Sequence, residues 1–359
     1  MALISVAEAL AYVTEGLGPL EAEHVPLMEA RGRVLAEDLA ARLTQPPFDA
    51  SAMDGFAVRA EDLGEFPVTL TLIGESAAGA GFSGTVGPGQ AVRIFTGAPV
   101  PKGADTIVIQ EETDLKGDLV TVKDAEPVRH IRRRGVDFKQ GEVLLRTGMK
   151  LGPRELMLAA AMNHAEIPVR RRPKVAILST GDEVVPPGSE LGPDQIVASA
   201  GTGLAALVQA HGGEAMSLGI AKDTLESILT LLRAGSAADI LVTIGGASVG
   251  ERDLVSAALR SEGLQLVFHK VAMRPGKPLL YGRLGEQRVL GVPGNPVSAI
   301  VCGLVFLVPM LQRLLGLKED GRGFIEATLA EGLEANGPRK HYMRGISEWT
   351  TGGERLVRP

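Results

Sequence analysis

This chain of 359 residues has one cysteine and six histidines, and both residue types are too scarce or too scattered for the sites they usually build. The single cysteine, Cys302, can form no internal disulfide and supplies no zinc cluster by itself. The six histidines show no metal-binding spacing, and no feature indicates a nucleophilic triad. We therefore expect a cytoplasmic protein whose chemistry uses neither a thiolate nor an imidazole-bound metal.

Long apolar segments and strong basic charge are also missing. The apolar run from Ala299 to Leu311 contains Gly303 and Pro309 and is shorter than the ~20 residues of a transmembrane helix. Glu8 stands where a signal peptide would be apolar. The formal net charge of −6 argues against a nucleic-acid surface, although the basic run 129–134 could face an oxyanion. We expect neither a membrane nor a nucleic acid as partner.

Changes in the apolar period divide the first half of the chain. Apolar residues from Val6 to Leu17 recur at helical spacing, and the run from Leu27 to Leu43 continues helically until Gln45-Pro46-Pro47 forbids further helix. From residue 48 to 137, short apolar pieces alternate with glycine, which predicts strands. Pro153 then starts another helix, which we expect to pack on the N-terminal helices. The predicted units are a helical connecting domain, 1–45 with 139–170, and a β-rich domain, 46–138, inserted into it.

The second half of the chain alternates strand-like and helix-like stretches from Lys174 to Leu315. Short apolar strands separated by amphipathic helices predict a parallel sheet with helices on both faces. Weak strand pieces follow at 324–329 and 342–349. The predicted fold class is therefore multidomain α/β, with a central parallel three-layer α/β/α domain over 171–318 and a small C-terminal β domain over 319–359.

Four glycine- or proline-rich loops in this region each follow a predicted strand. They are STGDE (179–183), GGASVGERD (245–253), RPGKP (274–278) and PGNPVS (293–298). Loops at the carboxyl ends of parallel strands meet at one edge of the sheet, where ligands bind. The sequence therefore predicts a single crevice that these loops share.

Two of the loops have the composition of an anion site. In GGASVGERD, the amides of Gly245, Gly246 and Gly250 can face a ligand, Ser248 adds a hydroxyl, and Asp253 can cap the next helix or bind a metal. In PGNPVS, Asn295 stands as an N-cap with Pro296 at the first helical position, so the following amides face the crevice. Helix capping alone is the alternative for both loops.

The other two loops bring charge. Lys270, Arg274 and Lys277 suit phosphate or another oxyanion, and the alternative is a solvated basic loop. Glu183, beside Asp182 in STGDE, and Asp223 after the next strand offer the hard oxygen ligands that Mg²⁺ prefers. Taken singly, such carboxylates are more often caps or surface charges, and it is their shared location that favours a site.

In the predicted β-rich domain two stretches are conspicuous, 48–58 (FDASAMDGFAV) and 94–112 (IFTGAPVPKGADTIVIQEE). Their residues alone are equally compatible with tight turns. Together, however, the stretches SAMDG, TGAPVP, IQEE, RRRGVD, STGDE, GGASVGERD, RPGKP and PGNPVSA, in this order, resemble the molybdopterin molybdenumtransferase family, the MoeA-like enzymes to which the E domain of gephyrin is also similar. The resemblance runs from about residue 5 to 350.

The resemblance implies a homodimer whose active site lies between the α/β domain of one subunit and the inserted domain of its partner. It also implies insertion of molybdenum from molybdate into adenylylated molybdopterin, with Mg²⁺ as cofactor, AMP as product and an adenylyltransferase as the partner that delivers the substrate. By motif match, the implied site residues are Asp54, Thr96, Arg132, Asp137, Glu183, Asp223, Asp253, Lys270, Arg274, Lys277, Pro293, Pro296 and Ser298.

We assign roles to these residues on chemical grounds. Glu183, Asp223 and Asp253 are expected to hold Mg²⁺ against the pyrophosphate. The cations and the exposed amides are expected to bind molybdate and phosphate oxygens. Asp54 and Thr96 would complete the catalytic set from the other subunit.

Three departures from the family pattern stand in this chain. Ala198-Ser199-Ala200 replaces the usual Asp-Ser-Asn run, which puts pterin or nucleotide contacts there in doubt. Alanine stands at Ala50, and Phe56 occupies a position that is commonly tyrosine. The sequence stops at Pro359, before an expected Gln-Gly-Ser stretch, so the C-terminal barrel would be abbreviated or the product truncated.

Two alternatives remain open. A molybdopterin adenylyltransferase would share the α/β domain, although the inserted domain and RRRGVD speak against it. A dimeric scaffold would need no chemistry from the carboxylates.

Overall fold

A computed structural model describes residues 3–126, 129–246, 254–317 and 325–359 of the chain. The α-helices in chain order are α1 (Val6–Thr14), α2 (Pro153–Ala161), α3 (Ser199–Ala210), α4 (Leu225–Ala234), α5 (Leu254–Ser261), α6 (Pro296–Cys302) and α7 (Val308–Leu314). The strands up to residue 170 are β1 (Ala22–Pro26), β2 (Leu39–Ala40), β3 (Ala50–Ser51), β4 (Gly55–Val58), β5 (Val68–Ser76), β6 (Gln90–Ile94), β7 (Thr106–Ile109), β8 (Thr113–Lys116), β9 (Leu119–Val122), β10 (Ile131–Arg132), β11 (Val143–Leu145) and β12 (Glu166–Arg170). The later strands are β13 (Lys174–Thr180), β14 (Val184–Val185), β15 (Ile196–Val197), β16 (Glu214–Ala221), β17 (Ile240–Ile244), β18 (Gln265–Lys270), β19 (Met273–Arg274), β20 (Pro278–Leu284), β21 (Gln287–Val292), β22 (Thr328–Leu329), β23 (Lys340–His341), β24 (Ile346–Trp349) and β25 (Arg355–Arg358).

The N-terminal segment is helical only at its start. Helix α1 begins after Ser5, whose side chain and that of Glu8 form a reciprocal capping box. The prediction of a second helix from Leu27 to Leu43 is wrong, because this stretch holds one 3₁₀ turn and otherwise pairs as short strands or loop. Gly32 has a φ of +75°, which ends any helix there, and the apolar residues that followed the helical period instead pack in a small β core.

Helix α2 returns to this segment as expected, although what it meets is strand and loop rather than helix. Ala159 and Met162 are buried with Leu35 and Leu39 from the N-terminal stretch and Val169 from β12. The connecting region is thus a mixed α/β unit, and the expectation of a helical one is corrected.

The inserted region forms a six-stranded sheet in the order β7-β4-β6-β5-β9-β8, and its strands lie where the apolar pieces predicted them. Phe56 and Val108 belong to the core on one face of this sheet, and Ala57 and Ile94 to the core on the other. Gly55 is required on the central strand, because a Cβ there would lie 1.9 Å from the carbonyl oxygen of Val108.

The α/β region contains a six-stranded sheet in the order β16-β13-β17-β21-β20-β18. β16, β13, β17 and β21 are parallel, but β20 is antiparallel to both of its neighbours. The prediction of a fully parallel sheet is therefore wrong, because β20 and β21 form a hairpin that the helix-strand alternation did not reveal. β18 nevertheless runs in the direction of β21, so its carboxyl end lies at the same edge as those of the other parallel strands.

Helices cover both faces of this sheet, as the apolar strands predict. One core cluster joins β13 and β17 to α3, α1 and the α6–α7 helix, and another joins the opposite face to α4 and α5. The domain boundaries drawn from the sequence stay a prediction.

Pro296–Leu314 is a continuous helical stretch, with a π-helical turn at Gly303–Leu307 between α6 and α7. Its 19 residues and mean hydropathy of 1.9 make it the one helix in the described ranges long and apolar enough to cross a membrane. The helix is therefore longer than the apolar run 299–311 predicted, and its length does not exclude a membrane span. In the folded chain 61% of the apolar window is buried, and a Cβ on Gly303 would lie 2.7 Å from the Leu204 side chain of α3, as in a helix of a protein core.

The C-terminal region carries a three-stranded sheet, β22-β25-β24, and β23 pairs with β19 of the α/β region. Of the weak strand predicted at 324–329, only Thr328–Leu329 is a strand, and Phe324 lies outside the described residues.

Candidate functional site

The carboxyl ends of β13, β17, β18 and β21 lie at one edge of the α/β sheet. Ser179 is in register with Ile244, and Ile244 with Val292. The four loops singled out in the sequence therefore begin at a common edge. The chain leaves β13 for β16 on one side and later reaches β17 on the other, so this edge contains the point where strand order reverses, the usual ligand position in open α/β sheets.

Gly245 holds the centre of this edge together. Its N–H donates to the carbonyl oxygen of Val292 at 3.1 Å, and its φ is +89°. A Cβ at this position would lie 2.9 Å from Thr180 Oγ1 and 3.2 Å from the Thr180 carbonyl oxygen. Gly246, at φ +58°, continues the left-handed turn. The predicted anion loop thus begins with two glycines that the backbone requires, whereas Ser248, Gly250 and Asp253 lie outside the described residues.

The PGNPVS loop starts helix α6 as predicted. Asn295 Oδ1 accepts the Ser298 N–H at 3.1 Å and its hydroxyl at 3.4 Å, and Pro296 is the first helical residue. Capping is therefore present, and the loop that begins at Pro293 presents the positive end of a long helix to the edge.

The carboxylates gather on the β13 and β16 side of the edge. Asp182 Oδ1 accepts the N–H of Asp223 at 3.1 Å, which joins STGDE to the loop after β16. The Glu183 carboxylate folds over Gly181, where a Cβ would meet it at 2.6 Å. In the described ranges no three Asp, Glu, His or Cys side chains come together as a metal site. The predicted set of Glu183, Asp223 and Asp253 is therefore not assembled by the described residues alone.

A cavity of 510 Å³ opens beside these carboxylates. Its lining includes Asp182, Lys222 and Thr202, and also Ala198 from the run that departs from the family pattern. Alanine in place of the usual aspartate at residue 198 therefore removes a carboxylate from the wall of this cavity.

A second cavity, of 710 Å³, lies on the β21 side of the edge. Arg274, Asn295 and Ser298 line it, together with His341 and Arg344 from the C-terminal region. The wall is built by backbone pairing, since the N–H of Tyr342 donates to the Arg274 carbonyl oxygen at 2.8 Å. Lys270 and Lys277 are exposed on the same loop but do not line this cavity. Sequence reasoning missed His341 and Arg344, although the basic run PRKHYMR was a signal.

The single crevice predicted from the sequence is thus one edge with two cavities. One cavity lies against β13 and β16, and the other lies beyond β21 against the C-terminal region, with β17 between β13 and β21. Carboxylates dominate one side of the edge and cations the other, with the turn at Gly245 between them.

The stretches of the inserted domain that carry the family resemblance meet at one of its ends. Asp54 Oδ1 accepts the backbone N–H of Thr96 at 2.7 Å and its hydroxyl at 2.8 Å. These two hydrogen bonds hold the pKa of Asp54 below its usual range, and the bond from the Thr96 backbone has the larger effect. The Gln110 N–H donates to the Asp54 carbonyl oxygen at 3.1 Å, which adds IQEE to the group. Asp54 is therefore an ionised acceptor near neutral pH.

RRRGVD lies against the same group. β10 pairs with β3, so Ile131 is in register with Ser51 of SAMDG. Arg132 and Asp137 form an ion pair of 2.6 Å whose side chains are about half exposed, 52% and 41%. Three motifs from distant parts of the sequence thus share one surface.

Arg93 is a further member that sequence reasoning did not identify. Its guanidinium lies 4.9 Å from the centre of the Phe56 ring and 5.1 Å from that of Phe95, and it donates to Gln110 Oε1 at 2.8 Å. Its charge also helps to lower the Asp54 pKa, after the Thr96 hydrogen bonds. Phe56 itself is buried beneath Arg93, so the expected loss of a polar group at the site is corrected, and Ala50 is likewise buried. Arg93 lies within β6, and the sequence RIF at the end of this strand does not by itself indicate an arginine held between two aromatic rings.

Within the described residues, no hydrogen bond or ion pair joins the Asp54 group to the carboxyl edge of the α/β sheet. The two sets of predicted site residues are therefore separate groups in one chain.

Comparison with known proteins identifies the family. Residues 4–163 match the family model described as MoeA N-terminal region (domain I and II), and residues 176–313 match that of a probable molybdopterin binding domain. A molybdopterin molybdenumtransferase 2 of Mycobacterium tuberculosis is 38% identical over 359 residues, covering 97% of this chain and 89% of its own. The chain belongs to the molybdopterin molybdenumtransferase family.

Other relatives agree with this membership. A molybdopterin molybdenumtransferase of Haemophilus influenzae is 40% identical over 304 residues, covering 84% of this chain and 75% of its own. The crystal structure of a molybdopterin biosynthesis MoeA protein from Pyrococcus horikosii superposes with a TM-score of 0.83 at 32% identity, over 100% of this chain and 90% of that one. The resemblance to the molybdopterin molybdenumtransferases seen in the motifs is confirmed.

Proposed function

We propose that this protein inserts molybdenum from molybdate into adenylylated molybdopterin and releases AMP. Its family membership makes it a transferase of molybdenum cofactor biosynthesis. The observation that supports the finer proposal is the carboxyl edge with its two cavities, one lined by Arg274, His341 and Arg344 and the other lined by Asp182 beside the loops that carry Glu183 and Asp223. A reaction that joins an oxyanion to a phosphorylated organic substrate needs a place for each of the two reactants, and this edge offers two cavities.

The cationic cavity suits molybdate. Arg274 offers a planar fork of donors, Ser298 a hydroxyl, and the start of helix α6 a positive dipole end. His341 and Arg344 close the cavity from the C-terminal region, so we assign them to oxyanion binding with Arg274.

The cavity beside Asp182 suits the nucleotide-bearing substrate, because Lys222 lines it and part of its wall is apolar at Ala198 and Pro186. Mg²⁺ would supply charge neutralisation at a phosphoanhydride. Asp182, Glu183 and Asp223 have the oxygen donors that Mg²⁺ prefers, but the described residues fall short of a complete ligand set. We therefore assign no catalytic step to the metal, and Mg²⁺ dependence with Asp253 as a ligand remains a prediction that metal titration tests.

Asp54 acts as a hydrogen-bond acceptor in this proposal. A carboxylate whose pKa is held below its usual range by Thr96 stays ionised and is a weak general acid, so it orients N–H or O–H groups of the substrate rather than donating a proton.

We further propose a homodimer in which the Asp54 group completes the active site of the partner subunit. Within one chain this group has no bonded contact with the carboxyl edge. Around it the large apolar side chains of Phe48, Met53 and Val136 are 40%, 40% and 61% exposed, as expected of a surface that meets another subunit. A cytoplasmic location and an adenylyltransferase that supplies the substrate belong to the same proposal.

Subunit mixing tests the proposal. Asp54→Asn and Arg274→Gln should each abolish molybdate-dependent AMP release, whereas the surface controls Asp114→Asn and Arg233→Gln should keep it. Because the two changes lie in different halves of a shared site, an equal mixture that exchanges subunits should regain about a quarter of wild-type activity. A mixture that stays inactive after proven exchange contradicts the shared site. Full activity of Arg274→Gln alone contradicts the assignment of Arg274 to molybdate binding. Absence of molybdate-dependent AMP release from the wild-type protein contradicts the enzyme proposal and favours the scaffold alternative.

A further inference from the structure

A cavity of 470 Å³ lies at the amino edge of the α/β sheet, opposite the candidate active site. It forms where the chain after α1, the residues before β17 and the β20–β21 turn meet, and its lining includes Gly16, Ser236 and Arg288. β21 runs from Gln287 to Val292, so about 15 Å of strand separates this cavity from the carboxyl edge. The two sites cannot share one small ligand.

Arg288 is the unusual side chain of this cavity. It is only 7% exposed, and its Nε has no hydrogen-bond partner. Among the described residues, the one hydrogen bond that its guanidinium makes is long, 3.4 Å from Nη2 to the Glu15 carbonyl oxygen at the end of α1. A buried guanidinium with donors to spare is costly unless an acceptor reaches it.

The charges around Arg288 do not supply that acceptor. Arg283 is its register partner across the hairpin, so two cations stand side by side on one face. Glu15 is bonded to Arg283 at 2.9 Å. The Asp239 carboxylate accepts two hydrogen bonds from Arg171 and one from the Lys174 N–H, which occupies it fully. Neither carboxylate bonds to Arg288, so among the described residues its guanidinium keeps donors without an acceptor.

We propose that this cavity binds a compact oxyanion of the phosphate type, with the Arg288 guanidinium as its main ligand and the Ser236 hydroxyl at the rim. A planar guanidinium binds a tetrahedral oxyanion through two parallel hydrogen bonds, which would use the free donors of Arg288. The cavity also has room for an organic group attached to the phosphate. Glu286, exposed on the hairpin turn and part of the lining, limits the affinity because it repels the anion.

Equilibrium binding of inorganic phosphate to the full-length chain tests this site. The assay uses the Arg274→Gln background, which weakens the oxyanion site of the carboxyl edge, and contains no molybdopterin, so its result is independent of the proposed function. We expect this protein to bind phosphate, Arg288→Gln to abolish that binding, and acetate to bind more weakly than phosphate. No phosphate binding in the Arg274→Gln background overturns the proposal, as does stronger binding of acetate.

Rim variants keep the test valid if Arg288→Gln fails to fold, because Ser236 and Glu286 are exposed. Ser236→Asp should weaken phosphate binding by about tenfold or more, whereas Ser236→Asn, of the same size, should change it by no more than about threefold. Glu286→Gln should strengthen binding by about threefold. Equal affinities for Ser236→Asp and Ser236→Asn, or weaker binding by Glu286→Gln, would show that Arg288 serves only as a cap of α1.

Discussion

The substitution Gly245→Ala adds one methyl group at the carboxyl edge and tests how closely the chain packs there. Its φ of +89° makes any L side chain strained, and a Cβ would press on Thr180 Oγ1 at 2.9 Å and on the Thr180 carbonyl oxygen at 3.2 Å. The hydroxyl can rotate away, but the carbonyl belongs to a central strand. We estimate about 1–2 kcal/mol for the left-handed backbone and about 1–2 kcal/mol for the contact, so Gly245→Ala should lower the free energy of unfolding by about 2–4 kcal/mol.

Gly188 provides a matched control, because it has the same φ of +89° but no atom within 4 Å of a built Cβ. Gly188→Ala should cost only the backbone strain, about 1–2 kcal/mol, reduced by the lower entropy of the unfolded chain. Urea denaturation followed by circular dichroism measures both losses. Since Gly245 separates the two proposed substrate cavities, its alanine variant should also lose most molybdate-dependent turnover, while Gly188→Ala keeps it. Equal effects of the two substitutions on stability and turnover would refute the close packing inferred at this edge.

Three other predictions concern the packing and charge of the site and its support. Gly276→Ala would bring a Cβ to 2.6 Å from Cys302 Sγ, so it should lower the free energy of unfolding by about 2–4 kcal/mol. In a double-mutant cycle, adding Cys302→Ala should recover about 1 kcal/mol. Simple additivity of the two substitutions would contradict the contact. Asp239→Asn should cost about 2–3 kcal/mol at neutral pH. Burial alone would raise the Asp239 pKa, but its hydrogen bonds outweigh burial and hold the pKa below its ordinary value of 3.8. In acid titrations of stability, the difference in free energy of unfolding between Asp239→Asn and wild type should therefore shrink only as the pH falls below 3.8. Thr96→Val should raise the pKa of Asp54, measured by carboxyl NMR titration, and reduce turnover by about tenfold, whereas Thr96→Ser should not.

Local chemistry made part of the site predictable. Asparagine followed by proline is typical of a helix N-cap and first helical position, and Asn295 and Pro296 have these positions in α6. The double glycine at 245–246 required left-handed backbone, and both residues have positive φ. Short apolar strands fixed the direction of β13 and β17, which brought their loops to one edge.

Long-range pairing made the rest unpredictable. The apolar residues from Leu27 to Leu43 fit a helical period by chance, and only their pairing with β11 and β12 decides that they are strand and loop. β20 is a strand because β18 and β21 flank it, which no local pattern reveals. Arg344 reaches the cationic cavity only because β23 pairs with β19. In each case the deciding contact joins residues far apart in the chain.

In the proposed function, the two cavities of the carboxyl edge bind molybdate and adenylylated molybdopterin for one reaction. The most direct measurement follows AMP and pterin-bound molybdenum together in one reaction of the wild-type protein, with and without molybdate. The account predicts that AMP appears only when molybdate is present and in equal amount to the molybdenum transferred. Release of AMP at the same rate without molybdate would contradict it.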